Sequence, residues 1–262
     1  MKASEFLNRP YINRQMVIFV DDEIYKRQMD EAKVDTRKRS FWQELLVPSY
    51  IQMAEILVKV YLDSKRNGII LNSIPNSLIA EFELPPGHPR NKVLYTAHPS
   101  KPNLYIPVSD FHRFTFEHKF SEVLSILMHL GAKEILVEHV SGWGHDFASK
   151  LSVGVPQYGS GGMEMGITSN SSRKVLYKAE LPGNDKPEVP QNLIWYSHEP
   201  TWQKIAEGRI KFGMKNFGMQ LIYQDDYGVN AELKAKAKGA GLDLGGKFED
   251  HQSTTWSISG KF

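Results

Sequence analysis

The feature that most constrains the fold is the alternation of apolar and polar residues between residues 217 and 262. Alternation with a period of two places successive side chains on opposite faces of a β-strand. The apolar positions fall into four successive runs: Phe217, Met219, Leu221 and Tyr223; Val229, Ala231, Leu233, Ala235 and Ala237; Leu242, Leu244, Gly246 and Phe248; and Thr254, Trp256, Ile258, Gly260 and Phe262. The pattern predicts a C-terminal four-stranded antiparallel β-meander with one apolar face.

The phase of the alternation changes at Gly239-Ala240, which predicts a two-residue hairpin turn of type II′ with Gly in its first position. This turn would place Ala237 opposite Leu242 on the apolar face. On the other face it would pair Lys236 with Asp243, which carry opposite charges. The sorting of apolar and charged side chains onto separate faces favours a hairpin here.

The predicted hairpin has lysines on one face and small apolar residues on the other, and this composition points to a lipid surface. Its strands of about nine residues are close to the length that crosses a bilayer when tilted. Lysines favour anionic head groups. We therefore expect a non-enzymatic protein whose C-terminal sheet binds an anionic membrane or a partner, as an oligomerising pore-former. The predicted membrane-binding residues are Lys234, Lys236, Lys238, Leu242, Leu244 and Phe248. A half-buried sheet with a solvated lysine face is the alternative.

The preceding part of the sequence predicts a mixed arrangement of helices and strands. Residues 16–20 form a short apolar run that is typical of a buried strand. An apolar stripe predicts a helix from Phe111 to Leu130, ended by Gly131, and residues 134–140 follow as a strand. Further strands are predicted over 163–167, 174–181 and 192–196, and further helices over 49–67 and 201–214. The predicted class is α+β, with portions 1–150 and 151–262 packed as one compact unit.

Composition excludes several classes of protein. The chain has no cysteine, so disulfides, cysteine-ligated metals and thiol nucleophiles are excluded. Its 32 basic and 30 acidic residues give a net charge of +2, which does not favour a nucleic-acid partner. No cofactor motif is present, and no cofactor is expected. The first residues lack the apolar core of a signal peptide, from which we expect a cytoplasmic protein.

Histidines provide the alternative functional hypothesis and leave open whether the protein is an enzyme. The segment 88–145 contains His88, His98, His112, His118, His129, His139 and His145. Imidazoles near a carboxylate such as Asp110 or Glu117 would suit a hydrolase or a metal-dependent enzyme. The spacing matches no known ligand motif, and the helical pattern places His118, Glu122 and His129 on the face opposite the apolar stripe, where solvent is expected.

Overall fold

The structure is a computed structural model that describes residues 2–31, 70–142, 174–224, 227–248 and 253–262. It contains both helices and antiparallel strands, which confirms the α+β class. In the described ranges the helices are α1 (Ala3–Leu7), α2 (Tyr11–Arg14), α3 (Asp22–Glu31), α4 (Phe111–His129), α5 (Pro200–Phe212) and α6 (Ala231–Gly239). The strands there are β1 (Met16–Val20), β2 (Leu71–Pro75), β3 (Tyr95–Ala97), β4 (Tyr105–Pro107), β5 (Glu134–Gly142), β6 (Lys174–Glu180), β7 (Asn216–Tyr223) and β8 (Thr254–Lys261).

The chain divides into two compact units, each built from two separate stretches of sequence. The first comprises Met1–Phe111 and Tyr227–Asp250, and the second comprises His112–Asp226 and His251–Phe262. The division that we predict near residue 150 lies outside the described residues and stays a prediction. The predicted helix over 49–67 and the predicted strand over 163–167 also lie outside them.

The first unit is organised around a sheet of order β2-β1-β3-β4. Strands β1 and β2 are parallel, whereas β3 is antiparallel to both β1 and β4. Every residue of β1 is buried, as its continuous apolar run predicts. Aromatic rings fill the core beside this strand: Phe19 lies edge-on to Phe82 and to Tyr95, with ring centroids 5.5 and 5.4 Å apart.

The second unit has a sheet of order β6-β5-β8-β7 in which every neighbouring pair is antiparallel. Helix α4 covers its apolar face. Trp256 of β8 contacts Phe116 and Phe120 of α4, with ring centroids 4.5 and 5.1 Å apart. Four antiparallel strands with one apolar face are confirmed. Two of them, β7 and β8, come from the C-terminal run of alternation, and the other two are β5 and β6.

The predicted hairpin at Gly239-Ala240 is wrong, because residues 231–239 form helix α6 instead of a strand. Ala and Lys are strong helix formers and Ala is a poor strand former, so local propensity opposes the alternation here. The side chain of Asn230 caps the helix by accepting hydrogen bonds from the backbone N–H groups of Glu232 and Leu233, both at 3.1 Å. The alternation of apolar and polar residues therefore did not determine the secondary structure of this segment.

Outside this segment, the observed helices and strands agree more closely with those predicted from the sequence. Helix α4, with the left-handed Gly131 after it, and strand β5 are confirmed, as are β6 and helix α5. The predicted strand over 192–196 is wrong. The backbone N–H groups of Ile194, Trp195 and Tyr196 instead donate hydrogen bonds to the carboxylate of Glu122, each at 2.8 Å. Glu122 is consequently buried, not exposed on a solvated face of α4 as its position predicts.

Candidate functional site

Both hairpins of the second unit have their connections at the same end of the sheet. Residues 143–173 join β5 to β6, and residues 224–253 join β7 to β8. Thr254, the first residue of β8, pairs with Tyr223 at the end of β7 and with Gly142 at the end of β5. We name this end of the sheet, where all four strands meet their connections, the strand-exit end.

The strand-exit end carries aliphatic side chains that water reaches. Val140 of β5, Val175 of β6 and Ile222 of β7 are 44%, 37% and 47% exposed. Of the three, Ile222 lies between buried neighbours, Leu221 and Tyr223. Exposed aliphatic residues concentrated at one end of a sheet are typical of a surface that contacts an apolar partner.

Buried polar contacts fix the point where β7 ends. His112 Nδ1 is hydrogen-bonded to the hydroxyl of Tyr223 at 2.9 Å, and both residues are buried. The hydroxyl of Thr254 donates a hydrogen bond to the carbonyl oxygen of Ser141 at 3.0 Å. These contacts attach the last residue of β7 to α4 and the first residue of β8 to β5. No sequence motif signals the His112–Tyr223 pair, because the two residues lie far apart in the chain.

Within the segment that joins β7 to β8, residues Tyr227–Asp250 belong to the first unit and include helix α6. Within the helix, Lys236 Nζ lies 2.7 Å from a carboxylate oxygen of Glu232, one turn away. The hydrogen bond from Lys236 lowers the pKa of Glu232 below its usual 4.5. Leu233 and Ala237 of the helix are buried, as is Val229 just before it, so one face of this short helix packs against the interior of the first unit.

Residues 242–246 are attached to the first unit by backbone hydrogen bonds. The N–H of Asp243 donates to the carbonyl of Lys92 at 2.9 Å, and the N–H of Leu94 donates to the carbonyl of Asp243 at 2.8 Å. The N–H of Ser109 donates to the carbonyl of Leu244 at 2.9 Å. Gly245 has φ +86°, and a Cβ there would lie 2.7 Å from Pro107, so this position requires glycine.

The six predicted membrane-binding residues do not form one hairpin surface in this structure. Leu242, Leu244 and Phe248 are buried in the first unit. Lys234 lies over the ring of Phe248, 5.2 Å from its centroid, while Lys236 pairs with Glu232. The expectation of a lysine-faced sheet is therefore wrong, and the lysines lie on a helix. Side chains of α6 return to the same face after about 3.6 residues rather than after two.

A pocket of about 250 Å³ lies beside α6, within the first unit. Its lining combines the aliphatic side chains of Ile12, Met16, Ile70 and Leu233 with polar groups of Gln15, Asn230, Glu232 and Lys236. Ile12 and Ile70 are more than half exposed. Packing on this side of α6 is thus incomplete.

The histidines of the 88–145 segment have separate surroundings. His98 is buried and its Nδ1 accepts a hydrogen bond from the N–H of Ser100, whereas His88 is hydrogen-bonded to Tyr95. Burial lowers the pKa of His88. His145 lies outside the described residues. Among the described residues, no group of three or more His, Asp or Glu side chains is arranged to hold a metal ion.

No helix within the described ranges has the length and apolar character needed to cross a bilayer. Comparison with protein-family models, with curated proteins and with solved structures finds no match to this chain. Its function is therefore argued from the sheet and its connections.

Proposed function

We propose that the protein binds anionic membranes and forms oligomeric pores, by refolding residues 224–253 from helix and loop into an extension of the β7–β8 hairpin. The observation that carries the proposal is the register of β7 against β8. These strands pair Asn216 with Lys261 and Tyr223 with Thr254, without interruption. Continuing the same register beyond Tyr223 tests whether the next residues of the chain match as strand partners.

Between Val229 and Phe248 the continued register matches apolar residues with apolar residues, whereas nearer β7 the same face takes Asp225 opposite Gln252 and Tyr227 opposite Asp250. It places Val229 opposite Phe248, Leu233 opposite Leu244 and Ala235 opposite Leu242. This pairing is offset by two residues from the hairpin that the alternation predicts, and an even offset keeps every side chain on its face. The apolar face of the extension then continues the face that carries Leu221 and Trp256.

The opposite face of the extension is charged and balanced. Lys234 falls opposite Asp243, and Asn230 falls opposite Lys247. Lys236 and Lys238 lie on the same face. In a membrane barrel the apolar face contacts lipid and the polar face lines the water-filled interior. The alternation between Val229 and Ala237 provides the length needed, since about 9–11 residues cross a bilayer in a tilted strand.

A bilayer changes the energetic balance between the two forms of this segment. In water, the helical form of the segment keeps Leu233 and Ala237 of α6 and the preceding Val229 buried, and exposing a large aliphatic side chain costs about 1.5–3 kcal/mol. On insertion those side chains pass from the protein interior to hydrocarbon instead of to water. We therefore expect the helix to persist in solution and the extended form to require a membrane, with anionic head groups attracting the lysines.

A disulfide that holds the segment in place tests the proposal. A Cβ built on Gly246 lies 3.6 Å from the Cβ of Ser109, which suits a disulfide, and Gly246 does not need a positive φ. The chain has no other cysteine to compete. In the Ser109→Cys/Gly246→Cys variant we expect no dye release from anionic vesicles when oxidised, and wild-type release after reduction.

The single variants Ser109→Cys and Gly246→Cys are the matched controls, and both should release dye with or without reductant. Neutral vesicles should leak far less than anionic ones. If the wild-type protein releases no dye and does not co-sediment with anionic vesicles, the proposed function is wrong. If the oxidised double variant leaks like the wild type, release of residues 242–246 is not required.

A further inference from the structure

The three lysines of α6 have different surroundings in the helical form. Lys236 Nζ lies 2.7 Å from a carboxylate oxygen of Glu232, Lys234 lies over the ring of Phe248, and Lys238 is exposed near the end of the helix. Residues four apart are neighbours on a helix, whereas in a strand with a rise of about 3.3 Å per residue they lie about 13 Å apart. Refolding therefore separates Lys236 from its carboxylate.

The continued register of β7 and β8 gives these lysines new neighbours. It sets Lys236 opposite Gly241, and it places Lys238 and Gly239 in the turn of the hairpin. Neither lysine then faces an acidic residue across the hairpin. Directly opposite pairs of unlike charge, which stabilise neighbouring strands, therefore stop at Lys234.

The tip of the extended hairpin has a net positive charge. Between Lys234 and Asp243 its polar face carries three lysines and one aspartate, which is a net charge of +2 for each copy. The turn is the part of the hairpin farthest from the folded sheet, and the strands that lead to it are long enough to cross a bilayer. These charges therefore lie at the end of the pore away from the folded protein, which we name the far mouth.

We propose that the pore passes small anions in preference to cations, because Lys236 and Lys238 of every copy form a positively charged ring at the far mouth. This inference rests on the proposed function. Rings of basic side chains favour anions in membrane pores, as rings of acidic side chains favour cations. The glycines that face these lysines leave the ring open to water and to small ions.

The salt concentration determines how far this ring acts across the pore. The field of a charge in water decays over about 10 Å at 0.1 M salt and over about 30 Å at 0.01 M. A preference that arises from the lysines should therefore increase as the solution is diluted. Anionic head groups attract cations to the pore, so the lipid opposes the expected preference and does not produce it.

The reversal potential across a planar anionic bilayer in a KCl gradient tests the inference. For the wild-type protein we expect a permeability ratio of chloride to potassium above one, and a larger ratio in dilute salt. Lys236→Glu/Lys238→Glu should bring the ratio below one. The reversal potential does not depend on the number of pores, so weaker membrane binding of this variant does not imitate the change.

Lys204→Glu/Lys211→Glu is the matched control. It changes the net charge by the same amount, but both lysines lie on α5, outside the refolding segment, where they pair with Glu207. Pores of this variant should keep the wild-type permeability ratio.

Chemical modification of inserted pores tests the same ring without relying on the folding of a charge-reversed variant. Because the chain has no cysteine, Lys238→Cys provides a single thiol. A sulfonate-bearing methanethiosulfonate, added after insertion, should lower the permeability ratio, and a trimethylammonium-bearing one should raise it. Ala235→Cys faces lipid in the extension and is exposed in α6, so it should react in solution and leave inserted pores unchanged.

The outcomes separate the inference from the proposed function. A ratio of one or less for wild-type pores would overturn the inference and leave pore formation in place. A ratio that modification of Lys238→Cys does not change would do the same. Absence of any conductance from the wild-type protein would overturn both.

Discussion

The observed role of Glu122 differs from the one that its position in the sequence predicts. Helical periodicity places it on the face of α4 opposite the apolar stripe, yet its carboxylate accepts three backbone hydrogen bonds from residues 194–196. A buried carboxylate that satisfies three donors is stabilised well beyond a surface charge. It also holds residues 194–196 out of any strand, since their N–H groups are already used.

Replacing Glu122 should therefore destabilise the second unit. For Glu122→Ala we expect a loss of about 3 kcal/mol or more in the free energy of unfolding, because three buried donors lose a charged acceptor. Urea titration followed by tryptophan fluorescence measures the change. Glu117→Ala on the same helix removes a partly exposed pair with Arg113 and should cost less than about 1 kcal/mol. Equal losses for the two variants would contradict this role of Glu122.

At the scale of elements, α6 carries two structural patterns in one sequence. Its alternation suits a strand, whereas its Ala and Lys content, its Asn230 cap and the Glu232–Lys236 pair suit a helix. The helix forms because the side chains that it buries, Leu233 and Ala237, lie one turn apart on one face. Neighbouring structure thus selects one of two locally acceptable conformations, which a single sequence pattern cannot decide.

The Glu232–Lys236 pair makes the stability of α6 depend on pH. Because Lys236 lowers the pKa of Glu232, the pair stabilises the helix above the usual pKa of 4.5, and this contribution is lost as the pH falls through the lowered value. We expect dye release from anionic vesicles to become faster below about pH 4.5. Glu232→Gln should be faster than wild type at neutral pH and should respond less to acid.

Glu207→Gln is the matched control, since Glu207 of α5 also has a lowered pKa beside Lys204 and Lys211 but lies outside the refolding segment. Its dye release should keep the wild-type pH profile. If Glu232→Gln and wild type respond to acid identically, then α6 does not limit release.

For the whole molecule, the sequence correctly predicted the elements in which apolar and polar residues follow one uninterrupted pattern. The α4 stripe, the apolar run of β1 and the alternation of β7 and β8 all gave the correct element. The association of β5 and β6 with β8 and β7 was not predictable, because strand order depends on contacts between distant residues. The strand-exit end was missed for the same reason: Gly142, Tyr223 and Thr254 meet only when the sheet forms.

Membrane binding by Lys234, Lys236, Lys238, Leu242, Leu244 and Phe248 stays a prediction. In this structure Leu242, Leu244 and Phe248 are buried in the first unit. Their expected pairing was wrong, because the segment packs in the first unit as helix and loop. The pattern of charged and apolar residues was visible in the sequence, whereas the helix that forms in place of the hairpin was not.

Because β7 and β8 pair without interruption, the effect of an insertion in their connection depends on whether it adds an odd or an even number of residues. One glycine inserted after Gly228, in the turn before α6, would send the apolar side chains of residues 229–237 to the water-filled side while those of residues 242–248 keep their side, whereas two glycines would return both to the same side. Both insertions leave the helix and its cap unchanged. We expect the single insertion to abolish dye release and the double insertion to retain most of it, measured on the same vesicles. Equal release from both would contradict the extension. Chains of this kind should therefore tolerate changes in loop length by pairs of residues and not singly.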